Sequence, residues 1–466
     1  MRFRHEAICV VLLSLAFTGC NSKQEPVAPK QASLPNPPPA ARPTITPAPP
    51  IKKLDATPDA VKKAEQAAQA AADRNRRMRA CLTFDDFKAT VYREPFAGGK
   101  YIVNGDTPIV NEKQLREFFE EKVKVKAPPP AALIISINKV SGLADKWNQQ
   151  QKRNLTYCVT TAFGQRFDDV VNQMANATGA WEKVAAVHFS HDATQDGNCG
   201  PSNNAVVFDV RPVNVSGEYL ARSFFPNDAR ADRNVLIDES SFALPADGKL
   251  QLVGIIRHEL GHTLGFRHEQ TRPESGACFE DRDWQPLTSY DAFSVMHYPQ
   301  CNGKGDWSLT LTDQDKNGVA CVYGPNPPFT VDASLVTDIA KCAVDQPAPA
   351  STSQTEAFKN QAVAAKAQKA YGPFSVAAGS SLEVKMGGPA ASGDPDLYVR
   401  FDDKPGLKAY DCRPFLEGPS EVCSLTVPSK ATRVFVMVNG YASGTYDLEI
   451  THVPGGAQLA AGAPKT

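Results

Sequence analysis

Two helical and several strand-like patterns organise the middle of the chain. Apolar residues recur every three or four positions over 166–184 and 249–264, which predicts two long helices, the second mostly buried. Shorter apolar runs between them predict strands at 155–160, 186–190, 205–210 and 234–238. From about residue 371 onward, short alternating strands separated by turn residues predict an all-β sandwich. The pattern therefore predicts one α+β unit followed by one β unit.

Composition narrows the class of protein. The chain has 466 residues, enough for two or three domains, and a formal net charge of -1. That charge gives no electrostatic case for binding nucleic acid or an anionic membrane surface. The 11 cysteines of the chain, behind an amino-terminal export signal, indicate disulfide bonds.

The predicted helix over 249–264 carries the strongest chemical signal. His258 and His262 lie one helical turn apart, so both imidazoles leave the same face and can share a zinc ion. Gly265 can end the helix in a left-handed conformation, and the chain can then turn to bring His268 to the same ion. Glu259 would lie beside the metal, where it can act as the general base for a water on the ion. Three neutral histidines leave one position open, which is typical of a catalytic site.

A second motif follows at 294–298, Ser-Val-Met-His-Tyr. Together with the pattern HExxHxxGxxH at 258–268, it resembles the metzincin zinc metallopeptidases. His268-Glu269-Gln270 with Arg272 is similar to the astacin group in particular, and the whole pattern also resembles bacterial matrixin-like proteins. The resemblance is firm over about 250–300.

The resemblance implies a zincin catalytic domain over 151–326, with a twisted mixed sheet, an active-site helix and one zinc ion. It implies that Met296 forms the floor beneath the zinc histidines. Tyr298 would reach the metal or the developing oxyanion, which an O–H donor stabilises. A protein or peptide substrate would pair with an edge strand of the sheet, drawn from residues 219–238.

One position departs from the astacin pattern. In that family the glutamate after the third histidine binds the amino terminus of the processed enzyme. Here a long segment precedes the catalytic domain without an evident cleavage signal. Glu269 is therefore expected to hold Arg272 or a local backbone amide instead.

The amino-terminal stretches differ in character. Residues 1–20 have a basic start and an apolar run too short to span a membrane, which predicts an export signal. The run ends in a segment that resembles a bacterial lipobox, so Cys20 is the expected lipidation site, with ordinary secretion as the alternative. Residues 21–80 form a Pro- and Ala-rich tether with a spacer helix.

Residues 81–150 have two interpretations. Strand-like pieces at 90–94 and 100–103, a turn at Asn104-Gly105 and an amphipathic helix at 111–124 indicate folded structure. The stretch is either a propeptide-like domain that covers the cleft or an amino-terminal extension of the enzyme.

Residues 327–370 are predicted to be a linker, and 371–455 to be the carboxy-terminal sandwich. Gly393 to Val399, then Cys412 and Cys423, resemble the bacterial pre-peptidase carboxy-terminal domain, which implies that the two cysteines pair. Asp394 and Asp396 are either turn carboxylates or ligands of a calcium ion. A second calcium-like run at 313–318 lacks its final glutamate and is interpreted as the start of a capped helix over 312–323. Other plausible disulfides are Cys158–Cys199, Cys278–Cys301 and Cys321–Cys342, although sequence alone does not fix connectivity.

The sequence thus predicts a zinc endopeptidase that is exported to a bacterial cell surface, anchored by lipid on Cys20 or released. Glu259 would activate the attacking water, and oligomeric state is left open. Two alternatives remain: a non-catalytic surface lipoprotein that uses the two domains for binding, and a hydrolase of non-protein amides or esters, because a fold and a site do not prove turnover.

Overall fold

The computed structural model describes residues 83–124, 136–140, 143–275, 278, 284–301, 304–305, 307–337, 342, 353–428 and 430–455. Predictions for the export signal, for Cys20 and for the tether fall outside the described residues. Among the described residues, no helix is both long and apolar enough to cross a membrane.

A five-stranded sheet forms one layer of the first domain. Its strands, in the spatial order β7-β6-β8-β10-β9, are β6 (Leu155–Val159), β7 (Phe189–His191), β8 (Phe208–Val213), β9 (Ala221–Arg222) and β10 (Asn234–Asp238). The first four strands in that order are parallel, and β9 runs antiparallel to β10 at the edge. β10 is buried along its whole length, as expected for a strand covered on both faces. The edge strand therefore comes from the stretch 219–238 that the sequence indicated.

Three helices complete this domain: α3 (Phe167–Glu182), α4 (Leu252–Thr263) and α5 (Asp313–Tyr323). α3 and α4 pack together, and the indole N–H of Trp181 donates to the carbonyl of Arg257 at 3.1 Å. α4 begins three residues later than predicted because Gln251 is extended. Thr312 and Asp315 form a capping box at the start of α5, and Gly324 follows the helix with a φ of 85°.

The residues before this domain form further short elements. They are α1 (Phe84–Thr90), β1 (Tyr92–Arg93), β2 (Tyr101–Val103), β3 (Thr107–Ile109) and α2 (Glu112–Phe118). The three strands form an antiparallel meander, and the turn between β2 and β3 has positive φ at Asn104 and Gly105. Such a turn matches the twist of a hairpin, as the Asn-Gly pair predicted. A second small sheet has the order β11-β4-β5, from β4 (Ser136–Val140), β5 (Leu143–Ala144) and β11 (Trp284–Pro286).

The carboxy-terminal domain is an antiparallel β-sandwich with its own apolar core. One sheet has the order β12-β18-β14-β16 and the other β13-β17-β15. The strands are β12 (Gln354–Val363), β13 (Gln368–Ser375), β14 (Ser381–Ser392), β15 (Pro395–Phe401), β16 (Glu421–Thr426), β17 (Arg433–Gly440) and β18 (Gly444–His452). β12 lies within the stretch that was predicted to be a linker. Its residues are mostly exposed because it is an edge strand, so its apolar signal is weak.

The described residues contain four disulfide bonds, and their pairings are those considered from the sequence. They are Cys158–Cys199, Cys278–Cys301, Cys321–Cys342 and Cys412–Cys423. The first ties β6 to the loop after β7, and the last lies in the core of the sandwich. The observed architecture is thus an α+β unit followed along the chain by a β-sandwich.

Candidate metal and catalytic site

Helix α4 ends in a turn that redirects the chain toward its own histidines. The amide of Gly265 donates to the carbonyl of His262 at 2.8 Å, and the amide of Phe266 donates to that of Gly261 at 2.9 Å. This pair of hydrogen bonds is a Schellman motif, which needs a left-handed residue at its centre. Gly265 has a φ of 89°, and a Cβ there would also lie 2.1 Å from the carbonyl oxygen of Asp145. Glycine is therefore required at this position.

The turn brings three histidines together. The ring centroids of His258, His262 and His268 lie 4.8 to 5.2 Å apart, and all three side chains are buried. Nδ1 of His258 donates to the carbonyl of Val295 at 2.7 Å, and Nδ1 of His262 donates to that of Phe266 at 2.8 Å. These bonds fix the tautomer, so the Nε2 lone pairs of both rings point to one place.

A carboxylate that the sequence did not assign lies at this same place. Oδ2 of Asp106, in the turn between β2 and β3, is 3.2 Å from Nε2 of His268. It is 3.5 and 3.8 Å from Nε2 of His258 and His262. One potential ligand atom from each of the four residues lies within 4.8 Å of the others. Burial raises the pKa of Asp106, but the imidazoles, led by that of His268, outweigh it and hold the pKa well below its usual range.

This donor set fits a zinc ion. Nε2 of His258 and of His262 are buried and make no hydrogen bond of normal geometry with any of the described residues. Buried polar nitrogens without partners are costly unless another group, such as a metal, satisfies them. Three imidazoles and one carboxylate are nitrogen and oxygen ligands of the kind that zinc takes in four-coordinate sites.

Glu259 lies on the same helix next to the first histidine. It is almost wholly buried, and its Oε2 has no hydrogen-bond partner in the part of the chain that the structure describes. Burial raises the pKa of Glu259 well above its usual range, and the nearby Asp106 carboxylate raises it further. The side chain is thus available to exchange a proton at the site.

The turn at 294–298 packs under and beside the histidines. The phenol of Tyr298 donates to Oδ2 of Asp106, and its ring centroid lies 4.5 Å from that of His268. The amide of Glu269 donates to the carbonyl of Met296 at 2.8 Å. This bond ties the turn to the segment that carries His268. A Cβ on Gly261 would lie 2.2 Å from Sδ of Met296, so this thioether rests directly on α4.

The carboxylate of Asp315 holds this turn in place through hydrogen bonds. Its Oδ1 accepts from Ser294 Oγ at 2.6 Å, and its Oδ2 accepts from the amide of Val295 at 2.9 Å. The same carboxylate closes the capping box of α5. The run that resembled a calcium loop therefore contributes a buried carboxylate to the floor of the site.

Glu269 makes both of the contacts that the sequence suggested. Its Oε1 accepts from Nη1 of Arg272 at 2.7 Å and from the amide of Asp291 at 3.0 Å. Both side chains of the ion pair are buried, so this pair fixes the chain on either side of His268.

A buried ion pair anchors the residues that carry Asp106. Glu94, beside β1, accepts from Nε of Arg222 at 2.6 Å and from the phenol of Tyr219 at 2.5 Å. Arg222 belongs to the edge strand β9, and the side chains of this pair are 0% and 2% exposed. Asp106, Thr107 and Pro108 also line one pocket with Ser223, Phe224, Phe225 and His262. We call residues 88–124 the covering segment, because Glu94 is bonded to the edge strand and Asp106 lies against the histidines.

Comparison with known proteins agrees with this geometry. Residues 146–275 match the family model described as matrixin, and residues 370–452 match that of the bacterial pre-peptidase C-terminal domain. The chain carries a matrixin domain and a pre-peptidase C-terminal domain. These two matches confirm the resemblance and the fold class that the motifs implied.

The relatives are proteases, but each alignment is partial. The virulence metalloprotease of Vibrio anguillarum is 35% identical over 170 residues, which are 34% of this chain and 26% of the relative. The zinc metalloproteinase nas-30 of Caenorhabditis elegans is 28% identical over 157 residues, 29% of this chain and 18% of the relative. Alkaline serine exoprotease A of Vibrio alginolyticus is 46% identical over 76 residues, 16% of this chain and 14% of the relative. The chain thus spans about a quarter or less of the length of these relatives.

The contact between Gly261 and Met296 gives a test of the floor of the matrixin site. We expect Gly261→Ala to lower the free energy of unfolding by about 1–3 kcal/mol, because the new methyl overpacks a buried contact. It should also weaken zinc binding, since either α4 or the Met296 side chain packed against it must shift. Gly179→Ala in α3 is the matched control: a methyl there would have no neighbouring atom within 4 Å, so alanine should be neutral or stabilise by up to about 1 kcal/mol. Chemical denaturation and metal titration measure both, and equal behaviour of the two variants would contradict the packing argument.

Proposed function

We propose that this protein is an exported zinc endopeptidase, held latent by its own covering segment. The observation that carries the proposal is the cluster of His258, His262 and His268 on the carboxylate of Asp106. Three histidines at one point make the metal site, and the carboxylate blocks its fourth position. The names of two relatives, a zinc metalloproteinase and a metalloprotease, support the reaction class.

Each side chain of the site has a role in this proposal. The three histidines would hold one zinc ion, which when bound supplies the Lewis acidity that polarises a scissile carbonyl. Glu259 would accept a proton from the attacking water and return it to the leaving nitrogen. Tyr298 would donate its hydroxyl hydrogen bond to the developing oxyanion, once Asp106 no longer accepts it.

The covering segment occupies the place that a substrate needs. An extended peptide would add to the edge strand β9 by backbone pairing. Glu94 is anchored on Arg222 of that strand, while Thr107 and Pro108 line the pocket next to Phe225. Catalysis on a protein substrate therefore requires that this segment move away or be removed. We accordingly interpret the stretch 81–150 as containing an inhibitory segment.

Zinc content and proteolysis test the proposal together. The chain is expected to bind one zinc ion, and the Asp106→Ala variant is expected to cleave casein in a chelator-sensitive manner. One zinc ion without cleavage in that variant would favour the binding-scaffold alternative. A folded chain without zinc would overturn the proposal. Calcium was the second cofactor considered, at Asp394 and Asp396 of the sandwich, and a calcium titration of the zinc-loaded chain tests it.

His262→Ala should lose zinc, because two histidines and a carboxylate retain too few of the ligands. The matched control is His188→Ala, whose side chain is 62% exposed and lies away from the cluster. Metal analysis after dialysis should give about one equivalent for the control and far less for His262→Ala. A fully loaded His262→Ala variant would show that the ligand assignment is wrong.

Lipidation of Cys20 belongs to the same proposal and rests on the sequence of residues 1–20 alone. Acylation would hold the protein at a membrane surface, with the tether 21–80 as a spacer. Mass spectrometry of the mature amino terminus checks it. A diacylglyceryl-modified Cys20 is expected, and an unmodified terminus elsewhere would favour release into the medium.

A further inference from the structure

The carboxy-terminal sandwich contains a pocket that is filled by a lysine side chain from the covering segment. Lys113, in α2, has a side chain that is only 6% exposed. Its amino group contacts Oδ1 of Asp396, lies 3.3 Å from Oδ2 of Asp394, and donates to the carbonyl of Leu416 at 3.2 Å. Surface ion pairs seldom bury the ammonium in this way.

Two aromatic rings complete the enclosure. The Lys113 amino group lies 4.2 Å from the ring centroid of Phe415 and 4.2 Å from that of Tyr441. The two rings meet almost at right angles, at 85°. A cation near ring faces is attracted by their quadrupoles, and ammonium recognition by aromatic residues and carboxylates uses this arrangement. Five groups of the sandwich therefore converge on one ammonium.

The sandwich holds the pocket in shape through its own bonds. Oδ1 of Asp394 accepts from the amide of Gly418 at 2.9 Å. Glu421 accepts from the amides of Leu397 at 2.5 Å and Leu416 at 2.6 Å, which ties strand β15 to the loop that carries Phe415. None of these bonds involves Lys113, so the pocket belongs to the sandwich rather than to α2.

Asp396 shows that the pocket needs a cation. Its side chain is 0% exposed, and its Oδ2 has no hydrogen-bond partner among the described residues. Burial raises the pKa of Asp396 to about 6, although Lys113 opposes this shift. Removing the cation would leave a buried carboxylate without compensation, which is strongly unfavourable.

We propose that the carboxy-terminal sandwich carries a binding site for a lysine side chain, occupied in this chain by Lys113. Because α2 follows Asp106 closely, the occupied site helps to hold the covering segment in place. Gln114 adds a bond from Nε2 to the carbonyl of Pro414 at 2.8 Å, and Glu117 pairs with Arg413. When the covering segment leaves, the site becomes open to a lysine of another polypeptide, such as a substrate. The site itself does not depend on the proposed peptidase activity.

Binding of a small lysine analogue to the full chain tests the site without any measurement of catalysis. The probe is Nα-acetyl-L-lysine amide, and the matched compound is Nα-acetyl-L-norleucine amide, which lacks the ammonium. In Lys113→Ala we expect saturable one-to-one binding of the lysine compound by calorimetry. The unsubstituted chain should bind neither compound here, because Lys113 occupies the site. Adding Asp396→Asn to Lys113→Ala should weaken binding at least ~10-fold, the loss expected for a charge-assisted contact.

Several results would overturn the proposal. Equal binding of the norleucine compound, no effect of Asp396→Asn, or no binding to folded Lys113→Ala would each do so. Uptake of calcium by Lys113→Ala, without uptake of the lysine compound, would instead make Asp394 and Asp396 a metal site.

A second variant covers the case in which Lys113→Ala does not fold. Lys113→Met keeps the length of the side chain and removes only its charge. We expect amide hydrogen exchange over 111–118 to become at least ~10-fold faster than in the unsubstituted chain, since α2 loses its ammonium anchor. Lys124→Met is the matched control, because this lysine is 37% exposed and its ammonium contacts Glu120 and the ring of Phe119, both one turn away in the same segment. Unchanged exchange in Lys113→Met would overturn the proposal.

Discussion

Glu259→Gln is expected to lower the rate of casein cleavage at least ~100-fold while the protein keeps its zinc ion. General acid–base catalysis contributes about 10²–10⁴ to such reactions, and an amide cannot accept the proton of the attacking water. The side chain lies beside the histidines with a buried Oε2 that no other group satisfies. Glutamine has the same shape, so the loss should appear in the rate and not in the fold. The comparison is made in the Asp106→Ala background, where the site is open.

Two controls make this result specific. Glu239→Gln changes an exposed carboxylate in the same way and should leave both zinc content and rate unchanged. Metal analysis of Glu259→Gln should still give one equivalent, because this side chain is not among the four potential ligands. Cleavage that survives in Glu259→Gln would discard Glu259 as the proton acceptor, whereas loss of zinc would make it a ligand.

The histidine cluster could be predicted from sequence because its geometry is local. His258 and His262 lie on one helix, and a single turn at Gly265 brings in His268. Helical periodicity and the left-handed preference of glycine are sufficient to place these three residues. The strands of the central sheet were predicted less evenly. β6 and β10 match the predicted ranges closely, because each is an apolar run. The predictions at 186–190 and 205–210 overlap β7 and β8 only at one end, and the two-residue β9 was placed only within the broader stretch 219–238.

Asp106 could not be predicted in this way because its contact is made by tertiary packing. It is 162 positions from His268 in the sequence, and no periodicity links the two. The Asn104-Gly105 turn was recognised, but a turn does not reveal which surface it faces. Lys113 is a similar case: the helix pattern placed it on α2, while its partners Asp394 and Asp396 were assigned only to a turn or a calcium ion. Asp315 was recognised as part of a capped helix. Its hydrogen bonds to Ser294 and Val295 could not be predicted, because they too are made by tertiary packing.

Asp106→Ala is expected to raise the basal cleavage rate of the full-length chain by about 10–100-fold. The carboxylate makes charge-assisted contacts with the histidines and with the Tyr298 hydroxyl, and each such contact contributes about 1.5–3 kcal/mol. Losing that amount of stabilisation lowers the equilibrium constant between the closed and the open state by one to two powers of ten. The variant frees the fourth ligand position and the Tyr298 hydroxyl at the same time. The measurement is the initial rate on casein at matched zinc content.

The gain should be partial, because other anchors of the covering segment remain. Glu94→Ala would leave Arg222 buried without its partner, which costs about 3–5 kcal/mol, and should loosen the segment without touching the histidines. The double variant Glu94→Ala with Asp106→Ala is therefore expected to exceed either single variant. Asp168→Ala, which removes an exposed aspartate at the start of α3, is the control and should not change the rate.

The metal content of Asp106→Ala separates latency from a structural role. If the carboxylate only blocks the open position, the variant keeps one zinc ion through the three histidines and gains activity, and adding Glu259→Gln abolishes that gain. If Asp106 is instead a permanent fourth ligand, the variant loses zinc affinity and gains nothing, because closed four-ligand sites are structural. The second result would reassign the cluster as a structural centre and remove the basis for the peptidase proposal. The metal content and activity of this one variant therefore decide between a latent catalytic site and a structural metal site.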